Sequence, residues 1–90
     1  MKVMITRKVT VNIPSGLHFR PAERITAMAM EYPCNIRLRK ANSVTDMKSF
    51  LSVLAASVRG GEEVIIECDG ERETEAIEKI TAFLEQKIIS

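Results

Sequence analysis

The chain lacks the features that mark several common functional classes. Its 90 residues include no tryptophan, one histidine and two cysteines, and thirteen basic against twelve acidic residues leave a net charge of +1. Such an even balance provides no overall electric field to attract nucleic acid. Cys34 and Cys68 have neither CxxC spacing nor a second histidine nearby, and no glycine-rich phosphate loop is present. We therefore expect no metal site and no bound cofactor.

Long apolar runs are also absent. The longest, residues 27–30 and 53–56, are far shorter than the roughly 20 residues that span a bilayer. Lys2, Arg7 and Lys8 interrupt the N-terminal region before an apolar segment can form, so no signal peptide is predicted. The sequence therefore predicts a cytoplasmic protein without membrane insertion.

The hydrophobic periodicity predicts seven secondary-structure elements in a single domain of residues 1–90. Alternation of apolar and polar residues predicts strands at residues 3–13, 35–40, 43–45 and 64–68. Apolar residues at helical spacing predict helices at residues 19–31, 48–59 and 73–88. In the second helix, either Asp46 or Ser49 is the expected N-cap, and one face is predicted to carry Leu51, Leu54, Ala55 and Val58.

The order of these elements predicts an α+β fold, an open-faced β-sandwich of the form βαββαβα. Right-handed crossovers place the last strand between the first and second, giving a four-stranded antiparallel sheet of order 1-4-2-3 with three helices on one face. Because the second and last strands are then neighbours, we expect Cys34 and Cys68 to lie close together as reduced thiols. The other face is expected to be solvated and to carry Lys8, Arg37, Arg39, Glu63 and Glu67.

The single histidine, His18, occupies a position suited to chemistry on an anion. It lies where a turn containing Gly16 meets the predicted start of the first helix, and Arg20 follows two residues later. Unpaired N–H groups and the positive end of the helix dipole favour an anion there and disfavour imidazolium. A neutral imidazole is a nucleophile that can accept a phosphoryl group. The alternative is a surface histidine that packs its ring on the turn.

Three motifs resemble those of one protein family. Residues 16–22 read GLHFRPA and match the GLHxRPA signature of the HPr family, the histidine phosphocarriers of the bacterial phosphoenolpyruvate-dependent phosphotransferase system. Residues 46–49, DMKS, resemble the second motif of that family, which ends in Lys-Ser. The glycines and alternating residues of 60–70 match a third region, so the resemblance covers nearly the whole chain.

This resemblance implies specific roles for three residues. His18 would take a phosphoryl group from enzyme I on Nδ1 and pass it to the IIA domains of sugar permeases, while Arg20 balances the added charge. The chain would thus be a carrier, not an enzyme acting alone. Ser49 matches the serine that an ATP-dependent HPr kinase modifies in many bacteria, which makes HPr kinase/phosphorylase a further expected partner. Ser49 could equally serve only as a helix cap.

A partner-binding surface is expected beside His18. The second helix has more apolar positions than one buried stripe requires, so some are expected to face outward. We expect an apolar partner-binding surface on a monomer, formed by Phe19, Phe50, Leu51 and Leu54. Phe50 could instead pack against the first helix. Phe19 and Ser15 differ from the Thr or Ala and the Asn that many family members carry, which leaves the choice of partners open.

Two other functions share this order of elements. RNA-recognition modules stack bases on strand aromatics, whereas the aromatic residues here, Phe19, Tyr32, Phe50 and Phe83, fall on or beside predicted helices. RNA binding is therefore disfavoured. A regulatory HPr paralogue, which docks on a kinase or transcription regulator, would keep the same fold and remains an open alternative.

Overall fold

Four strands and three helices follow one another in the predicted order in the computed structural model, which describes residues 4–87. Val3 and Ile88, which the sequence assigned to the first strand and the last helix, lie outside the described residues. The strands are β1 (Met4–Thr10), β2 (Asn35–Lys40), β3 (Ser43–Asp46) and β4 (Glu63–Asp69). The helices are α1 (Phe19–Ala29), α2 (Phe50–Ala55) and α3 (Glu73–Leu84).

The strands form one antiparallel sheet of order β1-β4-β2-β3, which confirms the predicted open-faced sandwich. Val9 of β1 lies opposite Val64 of β4, and Ile36 of β2 lies opposite Cys68 of β4. These four side chains are all buried. Because residues paired across neighbouring strands point to the same face, this register directs one apolar face of the sheet toward the helices.

Side chains from the sheet, the helices and the connecting loops fill the core. α3 packs against β1 and β4, and α1 packs against both other helices. The predicted apolar stripes of α1 and α3 are confirmed, since their fully buried members include Ile25, Ile77, Ile80 and Leu84. Within residues 4–87, no helix has the length and apolar character that crossing a bilayer requires.

The second helix is shorter than predicted. It ends at Ala55 because Ser57 adopts a left-handed backbone conformation, with φ of 52°, that cannot continue a helix. Of the residues predicted to share one face, Leu51 is 74% exposed and Ala55 is also exposed, so the part of this face that is helical is turned toward solvent. Val58 is buried, but it reaches the core from the loop after the helix.

The start of α2 uses both residues that the sequence offered as its cap. Ser49 is the N-cap, and its hydroxyl oxygen accepts a hydrogen bond from the Ser52 backbone N–H at 3.3 Å. Asp46 acts one turn earlier, where its carboxylate accepts a hydrogen bond from the Lys48 backbone N–H at 3.0 Å. The two side chains together fix the direction in which the chain enters α2.

The open face of the sheet is charged, as predicted, but one of its residues is not solvated. Glu67 is only 4% exposed, although it points to the same face as the exposed Glu63. The Nε atoms of Arg39 and Arg37 both donate to its carboxylate, the latter at 3.3 Å, and the two side chains shield it from water. These hydrogen bonds, the one from Arg39 above all, lower the pKa of Glu67.

The two cysteines are neighbours, as predicted. Both are buried and free, and each influences the pKa of the other. Burial raises the pKa of both thiols, that of Cys68 to about 12. Since the thiolate is the reactive form, neither group is poised for chemistry at neutral pH. Their reduced state in the cell stays a prediction.

Glu67→Gln should destabilise the fold at pH 7 by about 1–2 kcal/mol, because two charge-assisted hydrogen bonds lose their anionic acceptor. A lowered pKa contributes stability that is present above the unfolded-state pKa and is lost as pH falls through the folded-state value. The difference from wild type should therefore shrink below about pH 4. Urea unfolding at pH 7 and pH 3 measures it, with Glu63→Gln on the same face as the control. Equal pH profiles for the two variants would show that the hydrogen bonds of ionised Glu67 to Arg37 and Arg39 do not stabilise the fold.

Candidate functional site

His18 is the N-cap of α1 and leaves its imidazole unused by the cap. Its backbone is extended, with φ of −76° and ψ of −168°, and its carbonyl accepts the Ala22 N–H at 2.8 Å. Its side chain makes no capping hydrogen bond and is exposed. The first N–H groups of a helix have no intrahelical acceptor, and the helix dipole is positive at this end. The exposed ring therefore adjoins a region that favours an anion.

A close contact between two loops sets the position of His18. The Gly16 N–H donates to the Ile13 carbonyl at 2.7 Å, and the Leu17 N–H donates to the Val58 carbonyl at 2.8 Å. Gly16 has a φ of 69°, and a Cβ atom added there would lie 2.2 Å from the Val58 oxygen. Only glycine allows both the left-handed conformation and this approach. The loop after α2 thus holds the turn that presents His18.

The two loops border a small pocket next to the histidine. Its volume is about 230 Å³, and its lining is Ser15, Leu17, His18, Leu54, Ser57, Val58 and Arg59. This is below the roughly 300–1,000 Å³ of pockets that enclose small ligands. Among residues 4–87, no three His, Cys, Asp or Glu side chains are grouped so as to hold a metal ion. The pocket therefore has room only for a small group.

Two arginine residues from different parts of the chain lie near His18. Arg20 is exposed in the first turn of α1, two residues after His18. Pro21 follows it and has no N–H, so it leaves no donor unpaired in that turn. Arg59 comes from the loop after α2 and was not identified from the sequence, because its distance along the chain gave no sign that it would line the same pocket as His18. Its position before the Gly60–Gly61 pair was the only available signal.

An exposed apolar surface adjoins the histidine. We call it the apolar patch and define it by Phe19, Phe50, Leu51 and Leu54. Phe19 is 58% exposed, and its ring meets that of Phe50 edge to face with centroids 5.3 Å apart. Phe50 thus contacts α1 and is still half-exposed, so both alternatives raised for it hold in part. Leu54 also lines the pocket beside His18, so the patch and the imidazole share a border.

Ser49 lies at the edge of the apolar patch, directly before Phe50. Its hydroxyl caps α2, and its side chain is half-buried. The preceding Lys48 directs its ammonium group to the Tyr32 carbonyl at 2.6 Å, at the C-terminal end of α1. The structure therefore assigns Ser49 a structural role as a cap, while its modification stays a prediction.

Comparisons with known proteins agree on one family. The family model described as "PTS HPr component phosphorylation site" matches residues 5–86. HPr-like protein Crh of Bacillus subtilis is 31% identical over 85 residues, which cover 94% of this chain and 100% of Crh. Phosphocarrier protein HPr of Lysinibacillus sphaericus is 31% identical over 81 residues, 90% of this chain and 92% of that protein. The crystal structure of HPr from Bacillus anthracis has the same fold, with a TM-score of 0.89 and 24% identity over 91% of this chain and 98% of that one.

Gly16→Ala should destabilise the protein by about 2–4 kcal/mol, because the new Cβ adds backbone strain and collides with the Val58 carbonyl. Gly61→Ala is the matched control. Gly61 also has a positive φ, 91°, but a Cβ there would meet nothing within 4 Å. Gly61→Ala should therefore lose only about 1–2 kcal/mol of stability, from the backbone strain of a positive φ. Thermal and urea unfolding compare the two, and equal losses would show that the loop contact is not tight.

Proposed function

Because the chain belongs to the HPr family of phosphotransferase-system phosphocarriers, we propose that His18 accepts a phosphoryl group from enzyme I and passes it to IIA domains of sugar permeases. The observation that carries this proposal is the exposed imidazole at the N-terminus of α1, unused by the cap and beside Arg20. The HPr motif around His18 supports the same assignment.

The transfer places modest demands on the carrier. The lone pair of Nδ1 on neutral His18 attacks phosphorus, and the bond from phosphorus to the donor atom of enzyme I breaks with its electron pair. Phosphoryl transfer depends mainly on positioning and on stabilising charge over the phosphoryl oxygens. Backbone N–H groups at the start of α1 can donate to two of those oxygens, while the Arg20 guanidinium pairs with them as a fork.

HPr proteins carry phosphoryl groups and do not turn over substrate alone. The open site of this chain is consistent with that role, since its small pocket does not enclose a reactant. A partner must therefore exclude water from the reacting atoms and supply the remaining groups. The same nitrogen can then both accept the phosphoryl group from enzyme I and donate it to a IIA domain, because a phosphoryl group on an exposed ring is accessible to the next acceptor.

Incubation with enzyme I, phosphoenolpyruvate and magnesium should add one acid-labile, alkali-stable phosphate to the wild type and none to His18→Ala. Arg20→Ala should slow the transfer by about tenfold or more, because it removes a charge-assisted hydrogen bond worth roughly 1.5–3 kcal/mol. Arg24→Ala, one helical turn further along α1 and also exposed, is the control for loss of a positive charge. Labelling of His18→Ala would refute the assignment of the acceptor.

We also propose that the apolar patch is the surface on which enzyme I and the IIA domains dock. Leu51 and Phe19 are large apolar side chains exposed to water in the absence of a partner. Exposed apolar groups beside a reactive residue are typical of the centre of an interface. Docking there would bring a partner against the pocket that Leu54 and His18 share.

Leu51→Ser should raise the KM for transfer from enzyme I about three- to tenfold and leave kcat unchanged, since it removes uniform binding. Val44→Ser is the matched control: Val44 is 50% exposed but lies opposite Arg39, on the open face of the sheet. Steady-state kinetics with phosphoenolpyruvate and enzyme I measure both constants. An equal rise in KM for the control would place the docking surface elsewhere.

Ser49 is proposed as a regulatory phosphorylation site for HPr kinase/phosphorylase. A phosphate of charge near −2 at the start of α2 is compatible with the helix dipole, so it need not unfold the helix. Phe50 and Leu51 follow it directly in the apolar patch. A dianion at this edge opposes burial of the patch under a partner and repels acidic groups on that partner.

Ser49→Asp should accept phosphate from enzyme I more slowly than wild type, with little change in Tm. Ser49→Ala separates the cap from the charge, because it should lose about 1 kcal/mol of stability and keep a normal transfer rate. Labelling with ATP and an HPr kinase tests the modification itself. Unchanged transfer by Ser49→Asp, together with no labelling by the kinase, would leave Ser49 as a cap alone.

The regulatory alternative is supported by the similarity to HPr-like protein Crh. Transfer from phosphorylated His18 to purified IIA domains distinguishes the two roles, because a purely regulatory protein need not supply them. For the RNA-binding alternative, the aromatic residues do not form a stacking platform, since none of the four lies on a strand among residues 4–87. The monomeric state and cytoplasmic location stay predictions.

A further inference from the structure

Arg59 is a positive charge beside His18 that the motifs of the sequence do not include. It lies in the loop between α2 and β4, and it lines the same 230 Å³ pocket as His18 and Ser15. Its backbone is also close to the turn that presents the histidine, because a Cβ atom on Gly16 would lie 2.7 Å from the Arg59 Cα. The position of Arg59 relative to His18 is therefore set by contact between two backbones.

The loop that carries Arg59 is held in place by its own hydrogen bonds. The Arg59 N–H donates to the Glu62 carboxylate at 2.6 Å, and the Glu62 N–H donates to the Arg59 carbonyl at 3.2 Å. The Lys40 ammonium lies 3.1 Å from the same carboxylate and also donates to the Ser57 carbonyl at 3.1 Å. Glu62 is thus engaged by the Arg59 backbone and by Lys40.

This arrangement leaves the Arg59 guanidinium available. It is exposed, and it makes no ion pair with any other side chain among residues 4–87. The nearby acid, Glu62, forms its salt bridge with Lys40. The pKa of Glu62 is lowered chiefly by the hydrogen bond from the Arg59 backbone, and the Arg59 charge makes only a minor contribution. A guanidinium of this kind, on a residue that lines the pocket beside His18, is suited to bind phosphate oxygens in a bidentate manner.

We propose that Arg59 is a second phosphate-binding residue, whose guanidinium pairs with the phosphoryl group on His18 from the loop after α2 while Arg20 does so from α1. This inference rests on the proposed function for the identity of the anion. A phosphoryl dianion has three oxygens, so α1 N–H groups and two guanidiniums can all engage it. The contact between the Gly16 turn and the loop after α2 would then position the charge of Arg59 as well as His18.

The test uses potassium phosphoramidate, which labels an exposed histidine without enzyme I. The ring nitrogen bonds to phosphorus, and the P–N bond of the reagent breaks to release ammonia, so the phosphoryl group is transferred intact. ³¹P NMR then follows the titration of the phosphoryl group on His18. A nearby cation favours the dianion and lowers this titration midpoint.

Arg59→Ala should raise the midpoint by about three quarters of a pH unit, the size expected for one charge at about 4 Å in water. Arg59→Lys should restore part of the shift, because it keeps the charge but not the fork. Lys79→Ala, which removes an exposed positive charge from α3 beside the C-terminal half of α1, should titrate as wild type. The shift should also shrink in 1 M salt.

Each outcome decides one of the two proposals. A midpoint in Arg59→Ala equal to that of wild type overturns the role of Arg59, whatever enzyme I does. A raised midpoint in Arg59→Ala but not in Lys79→Ala supports it. If the midpoint shifts as expected while enzyme I fails to label wild-type His18, the pairing stands and the carrier function in the phosphotransferase system falls.

Discussion

The approach of the Gly16 backbone to the Val58 carbonyl is the constraint on which the site depends. Leu17 and Val58 bury their side chains in the core on either side of this contact, so the core anchors both loops. The hydrogen bond from Leu17 N–H to Val58 then aligns the turn with the start of α1. A reactive residue on an exposed turn thereby acquires a defined position without being buried, since the backbone beneath it is held by packing.

The sequence predicted the fold and singled out the residues proposed for the centre of the site, for different reasons. Strand order followed from alternation and crossover handedness, which are local patterns combined with one general rule. His18 and Arg20 were identifiable because they belong to one continuous motif. Arg59 was not, since its place beside His18 depends on a contact between two loops that no local pattern encodes. The predicted length of α2 was also wrong, because the left-handed Ser57 ends the helix before Val58.

Glu67 is a second residue whose surroundings the sequence pattern did not predict, because they depend on tertiary structure. Its alternation with Val64 and Ile66 correctly placed it on the open face, where a lone glutamate is expected to be solvated. The register sets Arg37 directly opposite it, and Arg39 reaches it from two residues further along β2. Two long side chains therefore cover a short one, and burial arises from neighbours on the outer face. Pairwise register, which sequence alone does not give, decided the outcome.

If His18 carries the phosphoryl group as proposed, its exposure limits how long that group can be stored. A ring that a partner can reach from solvent is also accessible to water. The phosphorylated protein therefore hydrolyses slowly while it is not bound to a partner. Its useful lifetime is then a competition between spontaneous hydrolysis and the next collision with an acceptor. Such a carrier works efficiently only where acceptors are concentrated enough for transfer to be faster than hydrolysis. The efficiency of one exposed nitrogen therefore depends on the concentrations of the proteins around it.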